Sequence, residues 1–233
     1  LFTSAEAKAI TAYTVPELSS GETVLLAMEE QNEVAVRFTD LGKIVFFKVA
    51  NGETIKTESI SIPQNTSISS FTTGDPTSGI VAYGLSDGSA IVIKHNYKVT
   101  YPNDQRLITP VIEYPLGLDP VVVDKRGLPL KSLALKMDGD LTTFAAISSD
   151  NSVVLSHYAK EESLFDDDST LEHTDAMLDS IAMDVAYLRL DKEQRLLYLA
   201  SLNGHLSIYN ISDKAKPKLI QHLNVLDKGQ SIT

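Results

Sequence analysis

The chain has 233 residues, of which 43% are hydrophobic and 22% are charged, so it can bury a core of ordinary size and is not expected to be disordered. Its formal net charge of −11 argues against binding to nucleic acid or to a broad anionic membrane surface, because such proteins neutralise phosphates with a basic face. The chain has no cysteine, which excludes disulfides, thiolate metal sites and cysteine nucleophiles.

Four segments repeat one pattern, in which two β-rich runs flank a short turn built on Asp, Asn or Gly. These residues tolerate the positive φ angle that a tight turn needs, so each segment predicts a β-hairpin. The predicted hairpins cover residues 34–49, 80–95, 143–158 and 196–211, and their turns centre on Gly42, Gly88, Asn151 and Gly204. The spacing of about 45 to 65 residues fits four-stranded propeller blades with loops of unequal length.

The repeat predicts an all-β fold, namely a β-propeller-like (WD40-like) array of about four four-stranded antiparallel blades that forms part of a larger propeller. All 233 residues belong to this one partial domain. The predicted blades cover about 20–63, 66–118, 128–178 and 180–226. Residues 1–18 and 227–233 are expected to supply strands to a neighbouring blade, because propellers commonly close their ring with the first strand of the chain.

Two predicted blades show all four strands. In the first blade these are residues 22–28, 33–39, 43–50 and 53–62, and in the fourth they are 180–190, 195–201, 205–211 and 217–225. The second and third blades have clear central hairpins, whereas residues 101–120, with four prolines, indicate a connector or an irregular outer edge. Residues 170–183 predict a short surface helix, because capping-type residues stand at their start.

Acidic residues stand as candidate calcium ligands at two places in the sequence. Asp166, Asp167 and Asp168 are consecutive, and three successive carboxylates do not converge in an extended chain, so a solvated loop is favoured. Asp138 and Asp140 lie between two predicted strands, without the further ligands that a calcium site requires, and indicate a polar turn.

The histidines and the aromatic residues are interpreted as structural. His95 and His157 occupy similar positions on the third strands of successive units. Metal binding, however, needs three or four converging ligands. The spacing of His173, His205 and His222 does not predict that they converge with these two. Nucleophile-elbow, P-loop and dinucleotide-binding motifs are missing from the sequence. We therefore predict no catalytic, cofactor-binding or metal-binding residues and no enzymatic activity. The strand aromatics predicted to pack between blades are Phe46, Phe47, Tyr83, Tyr158, Tyr198 and Tyr209.

Two stretches carry a family resemblance. Residues 29–53 ("EEQNEVAVRFTDLGKIVFFKVANGE") and 197–225 ("LYLASLNGHLSIYNISDKAKPKLIQHLNV") resemble the inserted domain of phosphate-type ABC transporter permeases of gram-negative bacteria. The resemblance implies a propeller-like domain at the periplasmic face of the inner membrane, in a membrane-anchored parent protein. It also implies two partners, the periplasmic substrate-binding protein and the membrane part of the same permease.

The resulting interpretation is a non-catalytic interaction or regulatory platform in solute uptake, with no cofactor. The alternative is an intracellular WD40-like scaffold for protein–protein interaction. A propeller enzyme would need converging acidic or His residues at the ends of its inner strands, and the predicted inner strands "ETVLLAM" and "LKSLALKM" offer little of this chemistry. Open blade edges with exposed apolar side chains also predict self-association.

Overall fold

The computed structural model describes residues 21–161, 170–178 and 184–226. These residues form four antiparallel sheets, each built from strands that are consecutive in sequence, and we call them the first to fourth blades. The first blade contains β1 (Thr23–Met28), β2 (Val34–Thr39), β3 (Lys43–Lys48) and β4 (Thr54–Ser59). The second contains β5 (Ile68–Thr72), β6 (Ile80–Leu85), β7 (Ser89–Thr100) and β8 (Leu107–Glu113), with the short β9 (Val121–Val122) paired to β7.

The third blade contains β10 (Leu130–Asp138), β11 (Leu141–Ser148), β12 (Val153–Glu161) and β13 (Thr170–Met177). The fourth contains β14 (Tyr187–Leu190), β15 (Leu196–Ala200), β16 (His205–Asn210) and β17 (Lys218–Asn224). Two 3-10 turns, Pro76–Ser78 and Pro102–Asp104, are the helical segments among the described residues. The predicted all-β class and the four four-stranded sheets are confirmed.

The turn between the second and third strands is built in the same way in every blade. Gly42, Gly88, Asn151 and Gly204 have φ angles of 74°, 81°, 66° and 79°. Each of them donates its backbone N–H to the carbonyl three residues earlier. The Gly and Asn residues on which these predicted turns centre are therefore the ones that adopt the left-handed conformation.

The blades pack face to face through three apolar clusters. One cluster joins the first and second blades and includes Phe38 and Tyr83, a second joins the second and third blades and includes Phe144, and a third joins the third and fourth. Alternation along a strand assigns side chains to the two faces of a blade, so that Tyr83 faces the first blade while its neighbour Ala82 faces the third. The second strands of the two middle blades, β6 and β11, are therefore buried on both faces.

The innermost strands of the blades approach one another, as in a propeller. β10 lies beside β5 on one side and beside β14 on the other. The later strands of each blade follow outward in chain order. Residues 1–18 and 227–233, which were predicted to supply strands to a neighbouring blade, lie outside the described residues.

The predicted helix at 170–183 is wrong. Thr170–Met177 is strand β13, which pairs with β12 and completes the third blade. Ala176 packs against the cluster between the third and fourth blades. The capping-type residues are a local signal, and pairing with the open edge of β12 outweighs it. The segment 101–120 also contains a regular strand, β8, in addition to its irregular parts.

Candidate functional site

The hairpin formed by β7 and β8 projects beyond the rest of the second blade. The ladder between β6 and β7 ends where Ile80 pairs with Lys94. From His95 to Thr100, β7 pairs only with β8 among the described strands. We call residues 95–112 the projecting hairpin. The projecting hairpin extends toward the first blade, on the side that carries the turn between β1 and β2.

A charge pair fixes the projecting hairpin to the first blade. Arg106, just before β8, donates from Nη2 to Glu29 Oε2 at 2.9 Å, and its Nη1 lies 3.0 Å from Glu33 Oε2. The Glu29 carboxylate also accepts the backbone N–H groups of Gln31 and Glu33, at 3.0 and 2.6 Å. Burial alone would raise the pKa of Glu29, but these N–H groups and the guanidinium outweigh burial and lower the pKa to about 2.

Aromatic packing supports the same contact. The His95 ring lies 6.0 Å from the Phe38 ring and 5.6 Å from the Tyr97 ring, and Tyr97 meets Phe46 edge to face. Both ring nitrogens of His95 and the Tyr97 hydroxyl are buried, and none of these atoms has a hydrogen-bond partner among the described residues. Burial and the nearby Lys94 lower the pKa of His95, so its imidazole is neutral near pH 7.

Two depressions flank Arg106. The first, which we call the inter-blade cleft, measures about 510 Å³ and is lined by Met28, Glu29, His95, Tyr97 and Arg106, among others. Its His95 nitrogens and Tyr97 hydroxyl are buried in the contact between the blades, so they are not presented to a ligand.

The second depression, the rim groove, measures about 590 Å³ and is mostly apolar. It lies between the β3–β4 turn of the first blade and the start of β8, and its apolar lining is Val34, Val49, Ala50, Ile55, Leu107 and Ile108. Leu107 is 51% exposed and Ile55 is 37% exposed, so the groove presents apolar surface to solvent. Lys48 at its border pairs with Glu53, and Arg106 pairs with Glu33. The rim groove can therefore bind a partner through a complementary shape and apolar contacts. The charged side chains at its border are already paired within the chain.

A second charge network joins Arg126 to the buried Asp124 and to the exposed Asp150. Arg126 donates from Nε and Nη2 to the Asp124 carboxylate at 3.0 and 2.7 Å, and from Nη1 to Asp150 at 2.7 Å. Asp124 also accepts the Ser148 hydroxyl at 2.5 Å. These groups satisfy one another and tie the segment after β9 to the third blade, so the network holds no group directed at a ligand.

The predicted acidic candidates do not form a site among the described residues. Asp166, Asp167 and Asp168 lie outside those residues. Asp138 and Asp140 are exposed at the turn between β10 and β11. In the described parts of the chain, no group of three or more His, Asp or Glu side chains is placed to hold a metal ion.

The five histidines lie in three different blades and do not converge. His95 lies between the first and second blades, whereas His157 is buried next to Thr143 Oγ1, at 2.9 Å. The His173 ring stacks on Tyr158 and lies within hydrogen-bond distance of Ser156, and His222 stacks on His205. Of the strand aromatics predicted to pack between blades, Phe46, Tyr83, Tyr158 and Tyr209 belong to the clusters between blades. Phe47 and Tyr198 belong to none of these clusters, so the prediction is wrong for them.

Sequence reasoning missed Glu29 and Arg106. They are 77 positions apart, and no motif or spacing connects a turn of the first blade with the start of the last strand of the second. The sequence signal in this region is the proline-rich stretch 101–120, which predicts a connector or an irregular outer edge and not a charge pair. A single Arg in such a stretch carries no information about its partner.

Comparison with known proteins adds a likeness of fold. No family model and no curated protein matches the chain. Among solved structures, the chain is similar to the β-propeller domain of Cps50 (Swd1) from Myceliophteria thermophila, with 11% identity and a TM-score of 0.48. The match covers 89% of this chain and 56% of that one, so the chain spans little more than half the length of this neighbour. The four sheets themselves define the class of the protein as an all-β, propeller-like array.

Proposed function

We propose that the chain is a non-catalytic platform that binds a partner protein through the rim groove. The observation that carries this proposal is the exposure of Leu107 and Ile55 in one apolar depression of about 590 Å³. Exposed apolar surface that forms a concave, bounded site is characteristic of interaction surfaces. The occupant is a surface segment of the partner that inserts one or two apolar side chains between the β3–β4 turn and β8.

The construction of the groove supports this role. One wall belongs to the first blade and the other to the projecting hairpin, and the Arg106–Glu29 pair fixes their separation. A groove with a fixed width needs little reorganisation on binding, so more of the contact energy appears as affinity. Because the bordering charges are paired within the chain, binding is expected to depend only weakly on salt.

We propose further that the platform serves a phosphate-type ABC transporter permease from the periplasmic side of the inner membrane. The support is the resemblance carried by residues 29–53 and 197–225. The first of these stretches includes Val34, Val49 and Ala50 of the rim groove. The partner is then the periplasmic substrate-binding protein or the membrane part of the permease. None of the described helical segments is long and apolar enough to cross a membrane.

The experiment is a binding titration with the purified periplasmic substrate-binding protein from the same organism, by biolayer interferometry. Leu107→Asp and Ile55→Asp are expected to weaken binding at least about ten-fold, because each buries a charge in an apolar contact. Leu118→Asp is the matched control, since Leu118 is 71% exposed and lies outside the groove. Equal affinities for the groove variants and the control would reject the rim groove as the docking site.

The second candidate, an intracellular WD40-like scaffold, is favoured by the same groove and differs in the compartment. The coding sequence around this chain distinguishes the two candidates. Membrane-length apolar segments on both sides support the permease, and soluble sequence on both sides supports the scaffold. Binding of inorganic phosphate to the isolated chain at micromolar affinity would contradict a purely protein-binding role.

A further inference from the structure

The central hairpin of every blade directs a set of side chains toward the blade that follows it. The set consists of the sixth and fourth residues before the positive-φ turn residue and the second and fourth residues after it, which share one face because side chains alternate along a strand. In the first three blades these side chains belong to the cluster with the following blade and are buried. They are Val36, Phe38, Ile44 and Phe46 in the first blade, Ala82, Ala90 and Val92 in the second, and Ala145, Ile147, Val153 and Leu155 in the third.

The fourth blade carries an apolar set at the same positions, and this set is not covered by a described blade. Tyr198, Ala200, Leu206 and Ile208 have the corresponding spacing from Gly204. Tyr198 pairs with Ile208 and Ala200 pairs with Leu206, so the four side chains lie on one face of the sheet, which we call the forward face. All four are only half-buried, and none belongs to the clusters that join the described blades.

The apolar surface of the forward face crosses the whole sheet. Tyr187 of β14 pairs with Ala200, and Leu223 of β17 pairs with Leu206. With the pair between Ala200 and Leu206, these residues form one apolar row that takes a residue from each strand. The register shift between β16 and β17 comes after Ile208, so it does not affect the row. Tyr187 is 53% exposed and Leu223 is 38% exposed, so the row presents apolar surface to solvent.

The three covered faces show what kind of partner fits such a surface. Each of them packs against apolar side chains from the second and third strands of the next blade. These covering side chains include Tyr83 and Ile91 of the second blade, Phe144 and Val154 of the third, and Leu197 and Tyr209 of the fourth. Two sheets pack face to face at roughly 10 Å, and a twisted sheet face is complementary to another twisted sheet. The partner of the forward face is therefore a β-sheet with an apolar face.

The order of the strands indicates which sheet this is. The outer strand β4 is followed in sequence by β5, the innermost strand of the next blade, and the outer strand β13 is followed in the same way by β14. Each blade therefore covers the blade that precedes it in the sequence. The polypeptide that follows β17 is the segment placed to cover the forward face of the fourth blade.

A second copy of this chain matches the forward face poorly. In the same packing order, the copy would present the face of its first blade that carries Arg37, at the position that Tyr83 and Leu199 hold in the second and fourth blades. Arg37 is buried, and it donates to Thr23 Oγ1 at 2.7 Å and to Gly21 O at 2.6 Å within its own blade. The contact would set a guanidinium against the apolar row, and burial of a charge against apolar side chains is unfavourable.

We infer that the forward face of the fourth blade is covered by a fifth blade of the same polypeptide, built from residues that follow β17. The second and third strands of this blade supply the apolar side chains that pack on the row. The forward face is separate from the rim groove of the first and second blades, so a failure of one proposal leaves the other standing.

Thiol labelling of the full-length protein that the gene encodes provides the test, because the 233-residue chain contains no cysteine. Ala200→Cys places a thiol on the forward face, and mass spectrometry of the labelled peptide measures its reaction with a maleimide. The reaction is expected to be at least about ten-fold slower in the full-length protein than in the 233-residue chain, because the fifth blade excludes the reagent. Leu118→Cys, at a 71% exposed position, is expected to react at the same rate in both proteins.

Two further variants complete the design. Ala145→Cys makes the same change on the covered face of the third blade and is expected to react slowly in both proteins. Leu206→Cys repeats the measurement on the third strand of the fourth blade. Equal rates in the two proteins for Ala200→Cys and Leu206→Cys, or a coding sequence without a further blade after Thr233, would overturn the inference. Protection that is lost when the full-length protein is diluted would assign the forward face to a second copy and would overturn it as well.

Discussion

Arg106 and Glu29 are 77 residues apart in sequence, and Arg106 Nη2 donates to Glu29 Oε2 at 2.9 Å. The contact joins the projecting hairpin of the second blade to the first turn of the first blade. The same guanidinium borders both the inter-blade cleft and the rim groove. The geometry of the proposed docking site thus depends on one long-range pair.

The first prediction concerns the stability that Glu29 provides. Glu29→Ala removes the acceptor of the Gln31 and Glu33 N–H groups and leaves Arg106 without this partner. We expect the free energy of unfolding to fall by about 1–3 kcal/mol, the usual loss for buried hydrogen bonds to a charged group. Urea denaturation measures the change. Glu30→Ala, at the adjacent exposed position, is the control, and an equal loss in both variants would contradict the role of Glu29.

The second prediction concerns acid pH. The folded state holds the pKa of Glu29 at about 2, below its ordinary value of 4.5, so the stabilisation by its carboxylate is present above pH 4.5 and is lost as the pH falls toward 2. Glu29→Gln has no carboxylate to protonate. The difference in unfolding free energy between wild type and Glu29→Gln should therefore shrink over this range. A constant difference from pH 5 to pH 2 would show that the folded state does not lower this pKa.

The third prediction concerns His157. Burial, together with Lys214, lowers the pKa of His157 from 6.5 to about 3, so the ring is neutral in the folded state. An unfolded chain takes up a proton there below pH 6.5, and stability is therefore lost as the pH falls from 6.5 toward 3. The loss is at most about 1.4 kcal/mol per pH unit. His157→Asn should flatten the pH dependence of unfolding in this window, and parallel profiles for the two proteins would contradict it.

The fourth prediction separates backbone strain from steric contact at two glycines. Gly88 and Gly139 both have positive φ, of 81° and 55°, so an alanine is strained at either position. A Cβ on Gly88 would lie 2.6 Å from the Asp124 carbonyl oxygen, whereas a Cβ on Gly139 would meet nothing within 4 Å. We expect Gly139→Ala to cost about 1 kcal/mol and Gly88→Ala about 2–4 kcal/mol. Thermal unfolding of both variants measures the difference, and equal losses would contradict it.

The sequence was informative where structure is decided locally. The turns at Gly42, Gly88, Asn151 and Gly204 need positive φ, and residue type at a turn reports this directly. The central hairpins and the all-β class therefore followed from short patterns. The helix predicted at 170–183 failed because its signals were also local, whereas β13 exists through pairing with β12, which no local pattern records.

Local sequence patterns could not predict the candidate site, because it also depends on contacts between distant parts of the chain. The rim groove combines residues of the β3–β4 turn with Leu107 and Ile108, which come together only when two blades pack. Each of these residues, taken alone, is an ordinary apolar residue of a strand or turn. Their shared exposure is a property of the packed array, so sequence reasoning had no basis for selecting them.

The most direct test of the proposed platform is hydrogen–deuterium exchange of the chain with and without the periplasmic substrate-binding protein. Binding in the rim groove should slow exchange in residues 49–55 and 106–108, which form its two walls, and should leave β10 to β12 unchanged. Protection confined to other blades, or no protection at saturating partner, would contradict the proposal that the rim groove binds this partner.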